Sequence, residues 1–111
     1  MVDSYGILAQ VAPASGAGAL TTIYTVPSTS AVISSIVVCN TLGTAQSWNL
    51  YAAKGGAANA VPQTLFQYSP LTGYQTEAIT LGITLATGDQ ITGFSSASGA
   101  IAVNLFGDQI T

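Results

Sequence analysis

Ile79-Thr80-Leu81-Gly82-Ile83-Thr84-Leu85 is the stretch that decides the fold. Its four aliphatic side chains fall at every second position, with Thr80, Gly82 and Thr84 between them. In a β-strand successive side chains point to opposite faces, so this spacing gives one apolar and one polar face. The same period continues outward along the chain. Ala100, Ala102, Asn104 and Phe106 alternate with Ile101, Val103 and Leu105, and Trp48, Leu50 and Ala52 alternate with Ser47, Asn49 and Tyr51. No window places apolar residues at i, i+3, i+4 and i+7, and no capping box precedes an apolar run, so helix is excluded as a major component.

Strands are expected at Tyr5–Ala12, Leu20–Val26, Ala31–Asn40, Gln46–Ala52, Thr64–Tyr68, Thr76–Leu85, Gln90–Ser95 and Ala100–Phe106. Turn clusters separate them: Pro27-Ser28-Thr29-Ser30, Asn40-Thr41-Leu42-Gly43, Ser69-Pro70-Leu71-Thr72-Gly73, Thr87-Gly88-Asp89 and Ser96-Ala97-Ser98-Gly99. Eight short strands in 111 residues predict an all-β chain forming a single β-sandwich domain of jelly-roll or Greek-key type. An immunoglobulin-like order fits the strand count too, although the Cys…Trp…Cys signature is missing. Residues 1–12 are read either as an N-terminal arm or as the first strand, and 12–19 as an Ala/Gly/Ser/Pro linker. Residues 53–62, small and aperiodic, form a loop, flexible or binding.

Ala31–Cys39 is apolar on both faces, with Val32, Ile36 and Val38 alternating with Ile33, Val37 and Cys39. Such a strand is either central and roofed by a loop or in contact with another subunit. Cys39 has no cysteine to pair with and reads as a small buried hydrophobe.

Composition narrows the chemistry. Charged residues make up 5% of the chain: Lys54 is the only base, and Asp3, Glu77, Asp89 and Asp108 are the acids. Average soluble domains carry roughly 25%. With neither His nor Arg, the chain has no histidine metal ligand, no imidazole base and no guanidinium clamp. One lysine makes no basic patch, so nucleic acid is not an expected partner. No basic leader precedes an apolar core, and no apolar run approaches the roughly 20 residues of a membrane helix. The chain is therefore expected to be soluble and off the membrane.

The acids have structural explanations. Asp89 sits in a Gly-Asp turn where its side chain caps local backbone. Asp108 follows Gly107 at the end of the last strand, Asp3 lies in the tail, and Glu77 keeps a strand edge soluble. No acidic run resembles a calcium loop. The expectation is no enzyme, no metal and no cofactor. A domain this poor in charge is protected against association only weakly, so a structural or binding module is the class that composition favours.

Three strings carry a family resemblance: Ile23-Tyr24-Thr25-Val26-Pro27, then Ala31-Val32-Ile33-Ser34-Ser35-Ile36-Val37-Val38-Cys39-Asn40-Thr41, then Gly82-Ile83-Thr84-Leu85-Ala86-Thr87-Gly88-Asp89-Gln90-Ile91. They resemble segments of small β-sandwich structural proteins of tailed bacteriophages, and the resemblance spans most of Leu20–Gly107. They are strand-and-turn patterns and not chemical motifs. Because the chain is very short and has no shaft repeat, the resemblance implies a capsid cement (decoration) protein, complete as it stands, more than a fibre. Such a protein sits on the capsid exterior of the virion, binds the major capsid protein, and forms a homo-oligomer, commonly a trimer. Its contacts would draw on side chains that a lone sandwich does not need: Tyr5, Ile7, Leu8, Tyr51, Phe66, Tyr68 and Tyr74. The same side chains would also suit an ordinary core. A tail-tip or fibre-associated receptor-binding module is the second reading, and a free-standing lectin or adhesin the third.

Overall fold

The computed structural model describes residues 3–15, 20–27, 30–56 and 61–110. They form eight strands: β1 (Asp3–Val11), β2 (Thr21–Thr25), β3 (Ser30–Asn40), β4 (Gln46–Ala53), β5 (Thr64–Leu71), β6 (Thr76–Ala86), β7 (Gln90–Ser95) and β8 (Ile101–Ile110). Among the described residues the helical content is two single 3-10 turns, Lys54–Gly56 and Val61–Gln63. Two antiparallel four-stranded sheets pack face to face, in the orders β1-β8-β3-β6 and β2-β7-β4-β5. The pairing is nested, since β1 pairs with β8, β2 with β7, β3 with β6 and β4 with β5. A ribbon of four nested pairs, wrapped so that β8 meets β3 and β7 meets β4, is a jelly roll.

The alternation supplies the core. Ile101, Val103 and Leu105 of β8, Ile33, Ile36 and Val38 of β3, Trp48 and Leu50 of β4, and Ile91 of β7 all lie at 1% exposure or less. Each such aliphatic side chain contributes roughly 1.5–3 kcal/mol when buried. Tight approach also selects residues: a Cβ on Gly107 would lie 2.0 Å from the Val32 carbonyl oxygen, so only glycine lets β8 sit this close to β3.

Several strand limits differ from the sequence expectation. Ser69–Leu71, expected as turn, belongs to β5. Pro70 is accommodated because β5 is an edge strand, where a missing N–H costs no ladder bond. β8 runs to Ile110, which puts Asp108 inside a central strand and not at its end. In β3 the expected grouping of faces breaks at Ser34, where a bulge against β8 adds one residue. Ile33 therefore joins Ile36 and Val38 in the core, while Val32, Val37 and Cys39 stay half-buried on the outer face. The strand is central in its sheet.

Residues 3–11, left open between arm and first strand, form β1 and pair along β8 from Asp3 with Ile110 to Val11 with Val103. Of the expected linker, residues 16–19 lie outside the described part, as do residues 57–60 of the 53–62 loop.

Candidate functional site

Side chains of paired strands share a face, so register places the surface residues. Across the outer face of the β1-β8-β3-β6 sheet run the rows Tyr5-Asp108-Val32-Thr84, Ile7-Phe106-Ser35-Thr80 and Gln10-Asn104-Val37-Ala78. Ala102, Cys39 and Thr76 add a fourth row. Tyr5 is 78% exposed and Ile7 57%, while Phe106, Val32 and Val37 are half-buried beside them. The face is broad, apolar to weakly polar, and charged only through Asp3 and Asp108. Gln10 Nε2 donates to Asn104 Oδ1 at 2.8 Å, bridging β1 and β8 across this face. One oxygen of Asp108, Oδ1, is out of solvent and has no hydrogen-bond partner. A buried acceptor left unsatisfied costs about 1–3 kcal/mol, so this centre of the face favours a covering group that donates a hydrogen bond.

The outer face of the second sheet is organised around aromatics. Tyr51 and Phe94 stack with ring centroids 6.1 Å apart, and Tyr68 meets Phe94 edge-on at 6.3 Å. Tyr51 and Phe94 are buried although they lie outside the main core. Tyr68, 61% exposed, lies over Phe94 from a backbone φ of +47°, and its N–H donates to Asn49 Oδ1 at 2.9 Å. The Asn49 Nδ2 beneath has no partner. Tyr74, at φ +59° and 74% exposed, stands in the β5–β6 loop against Gly43.

The seven residues singled out from sequence therefore do not form one surface. Tyr5 and Ile7 share the first face. Leu8 turns at the β1 bulge and packs on the core, and Phe66 lies against Trp48 with ring centroids 4.7 Å apart. Tyr51 is buried, Tyr68 is on the second face, and Tyr74 is at one end of the sandwich. Sequence reading missed Phe106, Val32 and Val37 as surface residues. The phase of β8 marks Phe106 as outward, opposite Ile101, Val103 and Leu105, and this was the available signal.

The titratable groups lie apart. Asp89 ties one end of the sandwich: Oδ2 accepts from Ala86 N at 2.9 Å and Oδ1 from Gly55 N at 2.8 Å. These two bonds, with a smaller contribution from Lys54, hold its carboxyl below the usual range. Tyr24 donates to Gln109 Oε1 at 2.8 Å, and burial pushes its hydroxyl pKa up, so it acts as a neutral donor. Among the described residues no three His, Cys, Asp or Glu side chains come together. The surface as a whole can bind by shape and apolar contact.

The class these observations define is an eight-stranded jelly-roll sandwich with one broad, sparsely charged sheet face. Comparison with protein-family models, with curated proteins and with solved structures finds no match.

Proposed function

We propose that this chain is a structural protein of a tailed-phage virion, a cement protein that binds the outside of the head and holds neighbouring major capsid proteins together. The observation that carries the reading is the outer face of the β1-β8-β3-β6 sheet, where Tyr5 and Ile7 stand exposed beside Phe106, Val32 and Val37. A clamp of this kind works by buried area and complementary shape, with aromatic anchors near its centre, and uses no catalytic group. The jelly roll is an architecture found in capsid domains and also in lectins, so the fold agrees with the resemblance without deciding it. In this reading the protein acts as a symmetric homo-oligomer, the trimer being the state the resemblance implies, and needs neither cofactor nor metal.

The test is co-sedimentation of purified protein with emptied phage heads. Binding is expected, and the double substitution Tyr5→Ser with Ile7→Ser should weaken it at least about tenfold, since two anchors of roughly 1 kcal/mol or more each are lost. The circular dichroism spectrum should not change. The tail-tip receptor-binding reading is favoured by Tyr68 and Tyr74, both exposed and both held at positive φ. Binding to host cells or glycan, with none to heads, would replace the cement assignment with that one.

A further inference from the structure

The topology divides the sandwich into two halves of the chain. Every ladder among the described residues joins one of the first four strands to one of the last four: β1 with β8, β2 with β7, β3 with β6 and β8, and β4 with β5 and β7. Among the described residues no two strands of the same half are neighbours in a sheet. Side-chain bonds cross the same divide. Tyr24 donates to Gln109 Oε1, Gln10 to Asn104 Oδ1, and Asn40 Nδ2 to the Thr72 carbonyl. The covalent link between the halves is residues 54–63, between the end of β4 and the start of β5.

That link opens with Lys54, the only Lys or Arg in the chain. Lys54, Gly55 and Gly56 are all exposed and belong to no strand. Gly55 at φ +63° and Gly56 at φ +76° hold a left-handed turn, and glycine leaves that conformation for an extended one without steric cost. One bond restrains the turn: the Gly55 N–H donates to Asp89 Oδ1 at 2.8 Å, while Asp89 Oδ2 accepts from Ala86 N at 2.9 Å. The nitrogen held in this way is that of the Lys54–Gly55 peptide bond.

We propose that the Lys54–Gly55 bond is a processing site for a trypsin-like serine protease, latched by Asp89, and that the cut protein persists as a two-chain sandwich. Such a protease takes a lysine side chain into a pocket with a carboxylate at its base and binds the flanking chain extended. Exposed segments of small residues are where such cuts concentrate. The cut consumes one water: the Lys54 carbonyl carbon becomes a carboxylate, and the Gly55 nitrogen leaves as an amine after taking up a proton. The protease must first draw the Gly55 N–H away from Asp89, so the rate follows the opening of this turn and not of the whole sandwich. Cutting leaves residues 1–54 with β1–β4 and residues 55–111 with β5–β8, and it breaks no ladder. Each half then supplies the strands that the other half pairs with. The site does not depend on the virion assignment.

Limited digestion of the native protein with trypsin tests it. One cut is expected, giving fragments 1–54 and 55–111 by mass spectrometry. Without denaturant the fragments should elute together at the mass of the uncut protein, with the β circular dichroism spectrum kept. Lys54→Gln should abolish the cut. Asp89→Ala should speed it about tenfold, for the loss of a hydrogen bond to a charged acceptor. Chymotrypsin cleavage after the buried Trp48 and Phe94, which reads global unfolding, should rise less. A native chain that resists trypsin at a dose that cuts the urea-unfolded chain would overturn the site. Separation of the fragments, or loss of the β spectrum on cutting, would overturn the two-chain sandwich, and equal trypsin rates with and without Asp89 would overturn the latch.

Discussion

Asn40 shows how much one polar side chain holds at the end of this sandwich. It is fully buried at the end of β3. Its Nδ2 donates to the carbonyls of Thr44 at 2.8 Å and Thr72 at 3.0 Å, with Leu71 at 3.4 Å, while its Oδ1 accepts from Leu42 N at 3.0 Å. One amide thus closes its own turn and fastens the β5–β6 loop to it. Asn40→Ala is expected to lower stability by about 3 kcal/mol in urea unfolding, because the carbonyls it served are left buried. Asn40→Asp should do at least as much, since it turns a donor toward those carbonyls into an acceptor. The sequence marked Asn40 as a turn residue, which is what its link to Leu42 makes it. Its bonds to residues more than thirty positions away were not legible, because nothing local encodes a loop brought in by the wrapping of the sheet. The same holds for Asp108, whose residue type was plain but whose unpartnered oxygen depends on β8 continuing to Ile110.

The elements differ in how far local pattern determined them. β6 was readable because alternation in its sequence runs unbroken to a Gly-Asp turn, with Gly88 at φ +86°. At β3 the pattern misled: one extra residue at Ser34 reverses which side chains face inward, and a bulge leaves no mark in hydrophobicity. The β6–β7 turn carries a prediction of its own. Asp89 has a lowered carboxyl pKa because its two oxygens accept from Ala86 and Gly55. A group depressed in the folded state adds stability above its unfolded value, near 3.9, and that stability is lost as pH falls through the folded value. Unfolding midpoints should therefore fall as pH drops below about 4, and Asp89→Asn should lower the neutral midpoint while flattening the acid limb. A second prediction belongs to β1. Deleting residues 1–12 exposes the edge of β8 and removes Leu8, Ala9 and Val11 from the core. The cooperative thermal transition should be lost, or its midpoint should drop by about 10 °C or more. A truncated chain that melts as before and only binds heads less tightly would make the segment a tether.

At the scale of the whole molecule, the eight strands and the sandwich were legible, and their order was not. Alternation reports which face of a strand is buried, whereas the pairing of β1 with β8 joins the two ends of the chain and has no local signal. The scattered candidate residues follow from the same gap: Tyr5 and Tyr51 look alike in sequence and lie on opposite outer faces, one exposed and one buried. Composition, by contrast, acts on the molecule as a unit. With five charged residues and a net charge of −3, the fold and its contacts rest on apolar burial and hydroxyl-rich faces, and electrostatics enters mainly through Asp89 at one turn. Raising salt from about 0.1 M to about 1 M shortens the Debye length from roughly 10 Å to roughly 3 Å and screens exposed charge pairs. Apolar contact is not weakened by that change. Binding to emptied heads should hold within about a factor of two across this range. A tenfold loss of head binding by 1 M salt, measured by co-sedimentation, would mean that Asp3 and Asp108 hold the partner through charge, and the apolar account of the sheet face would be wrong.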